Sequence, residues 1–166
     1  LKLSIKDSTL STEPFSLTDH PASIPLTWTD SFGLAGSATF NLKIQPSEDS
    51  APASYVQGIE RQAVILAEEV LEFEVLCEDD FGLKEIGLAW KGEFTAPSSE
   101  KPAEGSLTLQ TGGPSISRLS ELAIFSPATH KITPQKLMLS AYAEDYKPGR
   151  GRIYSEPIVV YILTRD

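Results

Sequence analysis

Residues 71–90 read LEFEVLCEDDFGLKEIGLAW: an apolar and acidic alternation, an acidic turn closing on glycine, then a second alternation. Side chains on an extended strand point to opposite faces in turn. Leu71, Phe73, Val75 and Cys77 are therefore expected to face a core while Glu72 and Glu74 face water. The two halves read as antiparallel strands of a hairpin, and the chain that carries them reads as all-β.

Outward from this stretch, 12 prolines and 11 glycines punctuate many short alternating runs, and no long helical period is visible. Beyond residue 54, strands are expected at 63–66, 71–77, 85–90, 107–110, 123–125, 137–143 and 157–163. Such a series of short strands in about 110 residues suits an immunoglobulin-like antiparallel β-sandwich. Upstream, strands are expected at 1–5, 15–18, 23–29 and 38–44, and the run QPSEDSAPAS at 45–54 offers little to bury. The expected organisation is a partial β-sandwich at 1–46, a linker at 47–54 and a complete β-sandwich at 55–166.

The ends of the two units resemble each other. Ile24, Leu26 and Trp28 alternate ahead of Asp30 as Leu139, Ala141 and Ala143 alternate ahead of Asp145, 115 residues further on. A glycine-containing turn and a last strand follow each acid, with Phe40, Leu42 and Ile44 in one case and Ile158, Val160 and Ile162 in the other. One sandwich repeated in tandem would give this spacing, making the first unit the C-terminal half of a preceding repeat. A half sandwich leaves an apolar inner face and open sheet edges. Leu26, Trp28, Phe40 and Leu42 are the residues at stake, each worth about 1.5–3 kcal/mol when fully buried. A protein contact is expected there, self-association through the partial unit included.

The net charge of −9 and pI of about 4.7 oppose binding to a phosphate backbone, which is driven by Lys and Arg displacing counterions. Nucleic acid is therefore not an expected partner. The densest basic group, Lys147, Arg150 and Arg152, lies in a Pro/Gly loop and reads as solvated. The longest apolar run, 63–67, falls far short of the ~20 residues of a helical membrane span. Cys77 is the single cysteine, so no internal disulfide can form, and its inward register makes it a small core hydrophobe. The chain begins at Leu1 with neither an initiator methionine nor a basic and apolar leader. It is expected to be a piece of a longer protein whose export signal or anchor lies elsewhere.

Glu78, Asp79 and Asp80 gather three carboxylates in one turn, and Asp145 could join them if the loops at one end of a sandwich converge. Calcium takes about six to eight oxygen ligands, so these four residues fall short unless Glu144, Glu48 or Asp49 contribute. The alternative is an acidic turn in which Asp caps backbone N–H groups and Gly82 takes a positive φ. No cofactor is expected beyond that calcium possibility. His20 and His130 sit in loops without a nucleophile motif or zinc spacing, and Gly112 and Gly113 mark a turn rather than a phosphate loop. No catalytic residue is assigned. Trp28 and Trp90 keep apolar neighbours and read as core, although Trp28 and Phe40 become contact residues if the first unit is a half. Tyr142 and Tyr161 alternate outward and read as an exposed pair on neighbouring strands, the first place to seek a binding face.

The stretch EVLCEDDFGLKEIGLAW resembles a bacterial repeat in which a strand ending in Ala-x-Asp-Asp is followed by Tyr/Phe-Gly-Leu/Val and another strand, with Cys77 here where alanine is usual. AYAEDYKPGRGRIYSEPIVVYIL, at 141–163, is similar to the closing segment of the same repeats. The resemblance is to immunoglobulin-like modules, akin to fibronectin III and cadherin domains, of large membrane-anchored bacterial proteins of unknown function. It implies a periplasmic or cell-surface location and a non-enzymatic structural or protein-interaction role. A carbohydrate-binding or calcium-dependent adhesion module, or an accessory domain of an enzyme, is the alternative.

Overall fold

The computed structural model describes residues 3–7, 9–16 and 20–165, and every regular element among them is a strand. The chain divides into two units, Leu1–Glu48 and Asp49–Asp166. The first holds two antiparallel pairs: β1 (Leu3–Lys6) with β2 (Thr9–Thr12), and β3 (Ala22–Leu26) with β4 (Phe40–Ile44). The strand β2 was not foreseen in the sequence. Of the strand expected at 15–18, Phe15 and Ser16 are in no strand, and 17 and 18 lie outside the described residues, as do 1 and 2 of the strand expected at 1–5.

The second unit contains β5 (Ala53–Gln57), β6 (Gln62–Leu66), β7 (Leu71–Glu78), β8 (Leu83–Glu93), β9 (Glu104–Thr111), β10 (Arg118–Phe125), β11 (Lys136–Asp145), β12 (Ile153–Tyr154) and β13 (Ile158–Leu163). They form two sheets. One has the order β10-β7-β5, the other β6-β13-β11-β8-β9 with β12 beside β11. All pairs are antiparallel except β6 with β13. Every strand expected beyond residue 54 is present, while β5 and β12 are additional. Because Ala53 and Ser54 pair with Glu78 and Cys77 of β7, they belong to a strand and not to the linker expected at 47–54. Pro52 is already buried, and the second unit starts at Asp49.

The expected hairpin at 71–90 is not one. Strand β7 pairs β10 and β5, whereas β8 pairs β11 and β9, so the turn between them carries the chain from one sheet to the other. Hairpin and crossover share the same alternation, since in both cases the apolar row of each strand faces the core. What separates the strands is the 112–117 segment: Asp79 N donates to Ser117 O at 2.9 Å and Leu83 N to Ile116 O at 2.7 Å. Gly82 has φ +155°, and a Cβ there would fall 2.5 Å from the Pro114 carbonyl oxygen, so the turn requires glycine.

The apolar rows meet between the sheets. Phe73, Val75 and Cys77 of β7 and Ala123 and Phe125 of β10 lie in one cluster with Ile86, Leu88 and Trp90 of β8, Leu137, Leu139 and Ala141 of β11, and Val160 and Ile162 of β13. Glu72 and Glu74 face water, as the alternation predicts. His130 lies against Trp90 and Phe125, with ring centroids 4.6 and 5.3 Å away, and so closes one edge of the core as an aromatic side chain.

Candidate functional site

Three surfaces concentrate chemistry. The first is an end of the second unit where three loops meet. Asp145 ends β11 at a register shift that follows Glu144, and its side chain is 2% exposed. Its Oδ1 accepts Lys147 N at 3.0 Å, and its Oδ2 accepts from Arg150 Nη1. The same Nη1 donates to Asp49 Oδ1 at 2.7 Å and to Ser50 O, while Nη2 donates to Asp49 O at 2.7 Å. Ser50 N in turn donates to Asp80 Oδ2 at 3.2 Å. The basic loop expected to be solvated thus sends Arg150 inward, because a planar guanidinium can serve several oxygens at once.

The calcium candidates are distributed around this arrangement and do not form one ligand shell. Glu78 faces Arg118 at 3.5 Å. Asp79 Oδ2 accepts from Phe81 N at 3.0 Å and Gly82 N at 2.7 Å, the capping alternative, and its Oδ1 is buried without a partner among the described residues. Asp80 holds Ser50, and Asp145 holds Arg150. Among the described residues no group of three or more His, Cys, Asp or Glu side chains could hold a metal ion.

The second surface is the outer face of the larger sheet. Tyr142 does alternate away from the core, but it is fully buried, which corrects its expected exposure. Its ring lies over Gly87, directly opposite on β8, where a Cβ would come within 2.7 Å of it. The guanidinium of Arg152 covers the other side, 4.0 Å from the ring centroid, and Tyr154 packs alongside at 6.2 Å. The hydroxyl donates to Glu85 Oε1 at 3.1 Å and lies 3.1 Å from Thr108 Oγ1. Burial, chiefly, holds the phenol above its usual titration range. Tyr161 is half-buried beside Lys136 at the start of β11, so it makes no pair with Tyr142. Tyr154, the actual neighbour, lies on β12, whose two residues carry no alternation that would place it beside Tyr142. With Ala89, Ser106, Met138, Ser140 and Arg152, Tyr154 lines a groove of about 510 Å³.

The third surface belongs to the first unit. Trp28 and Phe40 are 53% and 58% exposed, so Trp28 is not the core residue its neighbours suggested; Trp90, at 8%, is. With Leu3, Ile5, Leu10 and Leu26 they line an apolar groove of about 510 Å³. Strands β3 and β4 pair as β11 and β13 do, and Asp30 Oδ1 accepts Phe32 N at 2.9 Å much as Asp145 Oδ1 accepts Lys147 N. The two hairpins differ in register by one pleat repeat: Ile24 faces Leu42, whereas Leu139 faces Ile158. Cys77 is buried, its thiol 3.3 Å from Ser54 Oγ, and burial raises its pKa.

No family model matches the chain, and no curated protein matches it. One chain among solved structures, from "Structural basis of T cell specificity and activation by the bacterial superantigen toxic shock syndrome toxin-1", is 12% identical, with a TM-score of 0.30 over 67% of this chain and 100% of that one. No helix among the described residues is long and apolar enough to cross a membrane.

Proposed function

We propose that this chain is a non-enzymatic structural and protein-interaction module of a larger extracytoplasmic bacterial protein, on the periplasmic or cell-surface side. Its second unit is read as an immunoglobulin-like sandwich of the fibronectin III kind, and its first as part of a tandem neighbour. The strand order, three strands facing a six-stranded sheet, is compatible with that reading. Two arginines near the larger sheet are taken up by structure: Arg150 by Asp145 and Asp49, and Arg152 by Glu85.

The observation that carries the interaction role is the apolar groove of the first unit, lined in part by the exposed Trp28 and Phe40. Contiguous exposed apolar surface marks contact sites, and Trp is prominent among residues that anchor interfaces. A second copy of the chain is the partner this reading names. Sedimentation velocity of the whole chain and of a Trp28→Ser/Phe40→Ser variant tests it: the parent associates as concentration rises and the variant does not. Equal behaviour of the two counts against it.

A further inference from the structure

Between Ile44, the end of β4, and Ala53, the start of β5, the chain changes character at one point. Gln45, Pro46, Ser47 and Glu48 are all exposed, and among the described residues no hydrogen bond holds them. From Asp49 onward the chain is fastened to the second unit. Asp49 offers its carboxylate and its carbonyl to Arg150, and the same carbonyl accepts Lys147 Nζ at 3.1 Å. Ser50 gives its carbonyl to Arg150 and its N–H to Asp80, and Pro52 is buried.

We propose that Arg150 is the fastener of a strap formed by residues 49–52, which fixes where the chain becomes part of the second unit and confines the free joint between units to residues 45–48. The strap is anchored on the rigid side, because Asp145 sits at the end of β11 and is held by Lys147 N. A buried carboxylate requires its cation, so Arg150 is kept in place whether or not Asp49 is present. Two carboxylates and two backbone carbonyls converge on one guanidinium, a task that lysine, a point charge, performs less well. The Arg150 and Asp145 side chains are 14% and 2% exposed, against 89% and 78% for Arg61 and Glu156, so salt screens this contact far less than an ordinary surface pair.

Backbone relaxation measured by NMR on the whole chain tests the strap. In the parent, Asp49 to Ala51 should be as ordered as β5, with order parameters near ~0.85, and residues 45–48 below ~0.6. In Arg150→Met, residues 49–51 should fall to the joint's values while β7 and β11 keep theirs. Mobile 49–51 in the parent, or unchanged order there in a folded Arg150→Met, overturns the proposal. Should Arg150→Met fail to fold, Asp49→Ala decides, because it leaves the Asp145–Arg150 pair intact: partial loosening at 49–51 supports the strap and unchanged order overturns it.

Discussion

The guanidinium of Arg150 lies against the carboxylate of Asp145, five residues back along the same loop, and that contact is almost wholly shielded from water. Removing one partner strands the other, whereas removing both does not. Arg150→Met should therefore lower the melting temperature of the second unit more than Asp145→Asn/Arg150→Met does. A double variant at least as unstable as the single one would show that the pair is not coupled. Since the guanidinium already stands where the oxygens converge, added calcium should leave the parent's melting temperature unmoved.

Gly87 should tolerate no side chain. A Cβ there would fall 2.2 Å from the Leu107 carbonyl oxygen as well as meeting the Tyr142 ring, and backbone cannot yield cheaply. Gly87→Ala is expected to cost about 1–3 kcal/mol, as overpacking does, read as a lower urea midpoint with an unchanged slope. Gly149 provides the contrast: its surroundings are open but its φ is +80°, so Gly149→Ala should cost only about 1 kcal/mol, from backbone strain alone.

Alkaline pH should destabilise the second unit. Burial raises the pKa of both the Cys77 thiol and the Tyr142 phenol. A group whose folded pKa lies above its unfolded value stabilises below the unfolded pKa, and that contribution is lost as pH rises through the folded one. The window therefore opens above the ordinary thiol value of ~8.5 and extends past the ordinary phenol value of ~10. Urea midpoints that fall across this range, with Cys77 unreactive toward a thiol reagent while folded, are the expected result. Rapid labelling of the native protein would contradict it.

The two tryptophans should report their environments separately. With the indole of Trp28 half in solvent in the single chain and that of Trp90 packed against Phe125 and His130, acrylamide should quench the first strongly and the second weakly at concentrations too low for self-association. Trp28→Phe should leave a poorly quenched spectrum. If Trp90→Phe leaves an equally protected signal, the first unit's groove is covered in solution.

Alternation made most of the second unit legible, because a period of two survives any pairing: Phe73, Val75, Leu137 and Leu139 are core as expected. The same property hid the crossover at Gly82, since strands that pair and strands that face each other across a core carry one pattern. Tyr142 shows the complementary failure. Its outward direction was readable, but its burial depends on Arg152 and Tyr154, which reach it from a later loop. Strand β5 was obscured by weak local character in ASYVQ, whose structure comes from pairing with β7. Arg150 gave no signal as a basic residue in a Pro/Gly loop; the available clue was Asp145 five residues earlier, across a turn tight enough to bring the two together.

Sedimentation velocity of the intact chain, with acrylamide quenching of Trp28 followed in the same samples, tests the interaction role most directly. The expected result is association that rises with concentration, protects Trp28 as it does so and disappears in Trp28→Ser/Phe40→Ser. A parent chain that stays monomeric at every concentration, with Trp28 open to quencher throughout, would contradict self-association through the first unit.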